Sequence, residues 1–234
     1  MFVLFLGIGK ILVVSKSKIE IIDLFNAKNK QEFINQSLRE SSGLFGTYFQ
    51  NQFLGFLQNK RLVLGNPNKK FEMLQDRTCG SCILLDSNKL WMTGGCYNET
   101  ATTEIISYNQ NSDTMMTSIS GPTLPFLIDC HSMIKKNSKT ILIIGGIVGF
   151  TESSKTWIVD TSNLSELKPG PSLNIPRSGA SCAKMQLNSG KIFIVIFGGK
   201  STDTVELLDI STPNQGWTMG KIKLFSCFLM TAYN

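Results

Sequence analysis

Cys79-Gly-Ser-Cys82 places two thiols at the spacing used by metal sites and redox dithiols, and a further pair, Cys130-His131, follows about fifty residues later. A structural zinc site needs two ligand pairs, each at tight spacing, and here the second pair is adjacent in sequence. The first pair lies on a stretch that reads as a strand, so residues 79 and 82 point to opposite faces. A thioredoxin-like role needs the motif at a helix start in a βαβ setting, and the sequence offers none. Packing of reduced thiols is therefore the expected use, and no metal or other cofactor is expected. Cys96, Cys182 and Cys227 complete the set of six and show no dense disulfide framework.

Other constellations for catalysis are equally thin. His131 is the sole histidine, and no G-x-S-x-G nucleophile elbow accompanies it. Asp129, Asp160 and Asp209 fall near strand ends, where carboxylates serve turns. The glycine-rich stretches GIGK (7–10) and GGIVG (145–149) lack the spacing of a phosphate loop, and neither opens a helix whose N-terminus could hold an anion. No catalytic residue is expected, and the chain reads as a non-enzyme.

The elements that hold these residues follow a repeat. KLWMTGG ends at Gly95, TILIIGG at Gly146 and KIFIVIFGG at Gly199, a period of about fifty residues. Upstream of each stands an alternating stretch and a polar turn: DRTCGSCILLDSNK, IDCHSMIKKNSK and PRSGASCAKMQLNSGK. Downstream stand TEIISYN, TWIVDTS and TVELLDIS, and then the Gly-Pro turns GPTLP and GPSLNIPR. Each unit reads as about four short strands parted by turn residues. A domain needs a phosphate loop once, so a glycine pair that recurs with the repeat is structural.

Gly-Gly closing a second strand, an aromatic further on, and Pro-Arg opening the next unit resemble the kelch repeat. That resemblance is good over residues 77–220 and weak before them. It implies an all-β, kelch-type β-propeller of about five blades, or a fragment of a six-bladed ring. Four-stranded sheets stacked about an axis bury faces that one sheet alone would expose. The resemblance also implies that residues at the start of each first strand line the channel mouth, where partner peptides bind. Arg77 and Arg177 hold that position and suit an acidic segment, Ile128 breaks the series, and His131 joins them as a partner-binding candidate. The implied function is a protein-interaction scaffold, of the kind that recruits substrates to ubiquitin ligases beside a BTB or cullin-linked protein, or that binds actin. The alternative is a small-molecule or carbohydrate-active propeller enzyme of the sialic acid mutarotase type, which needs only a few channel residues and which an Arg-lined pocket with a nearby Glu would favour. One histidine and four tyrosines do not suffice for a copper site like that of galactose oxidase.

Residues 1–234 read as a single domain, with degenerate blades over 1–76 and three recognisable repeats over 77–225. GKILVVSKSKIEIIDL (9–24) matches the second and third strands of a unit, 25–42 reads as a loop or short helix, and 44–76 as another blade. SCFLMTAYN (226–234) resembles a first strand and is expected to close the ring with the N-terminus. Charged residues make up 17% of the chain and the net charge is +6, scattered in ones and twos such as Lys69-Lys70 and Lys135-Lys136. No basic stripe interleaved with aromatics suits nucleic acid. The opening MFVLFLGIGK lacks a positive n-region and reads as a strand rather than a signal. Three N-x-S/T sequons, at Asn35, Asn98 and Asn163, are no more than an Asn-rich chain yields by chance. A cytoplasmic protein with no membrane partner is the expectation.

Overall fold

The computed structural model describes residues 73–223 apart from 76, 96–100, 109–115, 188 and 213–214, together with the backbone of the strands within residues 2–72. Those strands are β1 (Phe2–Phe5), β2 (Lys10–Val14), β3 (Ile19–Asp23) and β4 (Lys30–Phe33), then β5 (Phe45–Phe49), β6 (Gln52–Leu57), β7 (Arg61–Leu64) and β8 (Lys70–Glu72). Each group of four is an antiparallel meander. The third sheet holds β9 (Ser81–Leu84), β10 (Lys89–Thr93), β11 (Thr103–Tyr108) and β12 (Met116–Ser120). A two-residue strand, β13 (Ile128–Asp129), leads into the fourth sheet, which opens with β14 (Ser132–Asn137) and β15 (Thr140–Ile144). The short β16 (Ile147–Val148) and β17 (Thr151–Glu152) then pair with each other and with β13, before β18 (Thr156–Asp160) and β19 (Asn163–Pro169) complete the fourth sheet. The fifth holds β20 (Ser181–Gln186), β21 (Ile192–Phe197), β22 (Thr204–Asp209) and β23 (Thr218–Lys223).

The chain is all-β, and its described residues form five four-stranded antiparallel sheets in a propeller-like succession. First strands pack side by side: β9 lies between β5 and β14, and β14 against β20. The N-terminus departs from the sequence expectation. Phe2–Phe5 itself fills the first-strand place of the opening sheet, pairing Phe2 with Val14 and Phe5 with Ile11. Residues 226–234, expected to close the ring, lie outside the described residues. Within 25–42, expected as loop or helix, Lys30–Phe33 pairs with β3 as a fourth strand.

Period-two alternation explains the core. Along β15, Ile141 and Ile143 pack with Ile83, Trp91, Met133 and Val159 toward the third sheet. Leu142 and Ile144 point the other way, into a cluster with Cys182, Ile194, Ile196 and Leu208 of the fifth. A strand buried on both faces reads as the continuous apolar run seen in ILII. The Gly-Gly pairs sit where sheets meet. Gly94 and Gly145 both have φ +64°, and an added Cβ would lie 2.1 Å from the Ile128 carbonyl oxygen and 2.5 Å from that of Arg177. Only glycine allows the next sheet's leading segment to come this close.

That approach is fastened by backbone hydrogen bonds. Gly95 donates to Ile128 (3.1 Å), Cys130 to Cys79 (2.6 Å), Gly146 to Arg177 (2.9 Å) and Gly179 to Cys130 (2.7 Å). All lie at the end of the sheets where first strands begin and second strands finish. A cleft of about 630 Å³ between the third and fourth sheets reaches the opposite end, lined by Leu85, Asp86 and Lys89 there, by Ile105 and Pro122, and by residues 161–165.

Candidate functional site

Arg77 and Arg177 stand where the repeat placed them, but neither faces a partner. Both are fully buried, at 0% exposure. Arg77 Nε donates to Glu104 Oε1 at 2.9 Å, Nη1 to the carbonyls of Gly94 and Thr102 at 2.8 Å, and Nη2 to Thr102 Oγ1 at 2.9 Å. Arg177 repeats the scheme one sheet pair later: Nη1 to Gly198 and Thr204 carbonyls, and Nη2 to Thr204 Oγ1 and to Glu206 Oε1 at 2.6 Å. The two glutamates are buried as well and fasten the preceding turn, Glu104 accepting from Leu74 N and Glu206 from Asn174 N and Ile175 N. The expectation that these arginines meet an acidic peptide is corrected accordingly. A buried guanidinium that donates to the protein's own carbonyls and glutamate locks a loop instead, although Arg177 Nε finds no partner among the described residues.

The fourth sheet shows the same joint in apolar form. Ile128 occupies the arginine place and Trp157, paired with Ile143 as Glu104 is with Met92 and Glu206 with Ile196, occupies the glutamate place. Both are buried in one cluster, and the Trp157 ring stacks on Phe126 at a centroid distance of 4.4 Å. In the three sheets whose side chains are described, arginine and glutamate are thus present together or absent together.

His131 is also interior. Its Nε2 lies 2.7 Å from Thr93 Oγ1, whose own distance to the Met133 sulfur is 3.4 Å. With the hydroxyl donating to sulfur, Nε2–H donates to Thr93 and Nδ1 is left as a buried acceptor without a protein partner. Burial pulls its pKa down to about 3, so the ring is neutral. It is not available as a partner-binding residue.

Cys79 does not share a strand with Cys82. It precedes β9 with φ +56°, and Cys130 precedes β14 with φ +50°. The equivalent place before β20 is Gly179, at φ +61°. Two cysteines thus occupy a left-handed conformation that costs a residue with a Cβ about 1–2 kcal/mol. Their thiols are hydrogen-bond partners, and the Asp129 carboxyl lies beside Cys130. Cys82 is buried in the core instead, where burial pushes its thiol well up. Among the described residues no group of three or more His, Cys, Asp and Glu could hold a metal ion. Asp160 and Asp209 serve turns as expected, accepting from Ser162 and Ser211, and those bonds hold both carboxyls below their ordinary values.

The surface at the fastened end carries a feature that sequence reading passed over. The segment read as a weak phosphate-loop imitation is a hairpin, β16–β17, with Val148 opposite Thr151. Gly149 has φ +65°, as a II′ turn requires at its first central place. Phe150, the second, is 96% exposed. β13 braces the hairpin through Ile128 and Val148, and that register carries the exposed Leu127 toward the turn. Glu152 ties the far side to the next sheet by accepting from Ser178 N and, at 2.6 Å, from Ser178 Oγ. The one available sequence signal was Gly-Phe between the β-branched Ile147-Val148 and Thr151.

No family model matches the sequence, and no curated protein does. Among solved structures, the structure of YjhT is similar at a TM-score of 0.56 with 12% identity, over 76% of this chain. The chain spans 65% of the length of that structure. The likeness extends to the fold, an all-β, propeller-like stack of antiparallel sheets. No helix among the described residues is long and apolar enough to cross a membrane.

Proposed function

We propose that the chain is a kelch-type interaction module that binds a protein partner through the β16–β17 hairpin. The observation that carries this reading is Phe150: a large aromatic ring, 96% exposed, on a turn braced from both sides rather than on a slack loop. A rigidly presented aromatic is the commonest kind of binding anchor, and it loses little side-chain freedom when bound. The partner would supply an apolar pocket, with Leu127 beside the entry. An Arg-lined pocket with a nearby Glu would favour the enzyme alternative. Among the described residues both Arg–Glu pairs are sealed, with side-chain exposures of 0%/1% and 0%/0%, so neither supplies such a pocket.

A photo-crosslinking residue introduced at position 150, and separately at Lys139 on the opposite end, tests the proposal in extract from the source cells. A discrete adduct from position 150 alone is expected, competed by unlabelled parent chain and not by Phe150→Ala. Adducts that are equal from both positions, or unaffected by either competitor, would overturn it.

A further inference from the structure

Cys79 and Cys130 share one structural place in successive sheets, and the backbone there is already joined. The Cys130 amide donates to the Cys79 carbonyl at 2.6 Å. Standard bond lengths then bound the Cα separation at about 6.5 Å, within the roughly 4.4–6.8 Å span of disulfides. The thiols are hydrogen-bond partners, and both residues are part-exposed, unlike the buried Cys82 and Cys182. Both accept a left-handed backbone that the third member of the series meets with glycine. Strain of this kind, kept at two adjacent sites by a residue with reactive chemistry, points to a use for the side chains.

We infer that Cys79 and Cys130 are a redox modification site, a dithiol that closes into a disulfide bridging the leading ends of β9 and β14. The oxidant is a low-molecular-weight disulfide. The Cys79 thiolate attacks one sulfur, forming a mixed disulfide and releasing one small thiolate. The Cys130 thiolate then attacks the Cys79 sulfur, closes the bridge and releases the second. The protein loses two protons and two electrons, and the reagent becomes two thiols. Cys79 is the entry point because Cys130 is held protonated by its hydrogen bond to Cys79, by burial and by the neighbouring Asp129 carboxylate. The inference is independent of the partner proposed for Phe150.

The full chain, equilibrated with reduced and oxidised glutathione in varying ratio and then quenched with an alkylating reagent, gives the test by non-reducing peptide mapping. A reversible Cys79–Cys130 cross-linked peptide is expected, in excess over every other pairing, with the thermal midpoint several degrees higher in the oxidised chain. Cys79→Gly suits the local backbone and should fold while losing both the peptide and the shift. Absence of the cross-link in the parent, or scrambled pairing at similar levels, would overturn the inference. Binding of a trivalent phenylarsine to the reduced parent reads the same dithiol without any variant. Stoichiometric capture at residues 79 and 130 is expected, and capture elsewhere would count against the pair.

Discussion

Protonation of His131 would place an unpaired charge between Thr93, Met133, Gly94 and Gly146, with the part-exposed Asp129 carboxyl two residues away. The folded chain resists it, with a pKa near 3, while the unfolded chain takes the proton near the ordinary value of 6.5. The unfolded state therefore binds more protons between those values. Stability contributed by the neutral ring is complete above pH 6.5 and is lost as the pH falls toward 3, at up to about 1.4 kcal/mol per unit. Denaturant titrations at pH 6.5 and pH 5, where ordinary carboxylates remain charged, should show this loss in the parent. His131→Ala, which copies Ala180 at the equivalent place, should be less stable at pH 7 yet nearly flat across the same interval. An equally steep loss in that variant would remove His131 from the explanation.

Each sheet joint can be built with charge or without it, and the chain contains both versions. Burying an Arg–Glu pair costs desolvation that its attraction only partly returns, whereas removing one partner strands the other and costs about 3–5 kcal/mol. Arg77→Ala alone should therefore destabilise the chain by that amount in chemical denaturation. The combined replacement Gln75→Phe, Arg77→Ile and Glu104→Trp, which copies Phe126, Ile128 and Trp157, should recover most of it. A triple variant no better than Arg77→Ala would mean that the polar and apolar joints are not interchangeable. This also explains what the sequence disclosed. The glycine pairs were legible because a backbone requirement admits one residue and recurs with the period. The arginine positions were legible too, but their role was not, since Glu104 and Glu206 lie on another strand and nothing local ties them to Arg77 and Arg177. Ile128 and Trp157 replacing both partners at once was the trace of that link. Phe150 left no such trace, because a single aromatic in a turn has no repeat to measure it against. Cys79 was misplaced for a different reason: alternation was extended back past the start of β9, to a residue whose φ is positive.

Every inter-sheet backbone bond named above lies at one end of the stack, and the cleft between the third and fourth sheets reaches the other. Hydrogen exchange should follow that asymmetry. Amides of Cys130, Gly146 and Gly179 are expected to exchange only through large-scale opening, while those of the 137–139 and 161–163 turns exchange through local motion. Uniform protection along the sheets would contradict it. Mechanically, the molecule resembles a book bound along one spine. Its stiffness depends on direction: prising neighbouring sheets apart at the cleft end rotates them about the glycine joints and strains few bonds, whereas the same force at the bound end must break the peptide contacts themselves. A load arriving through Phe150 enters at the spine, and the sheets behind it would answer that pull as one body.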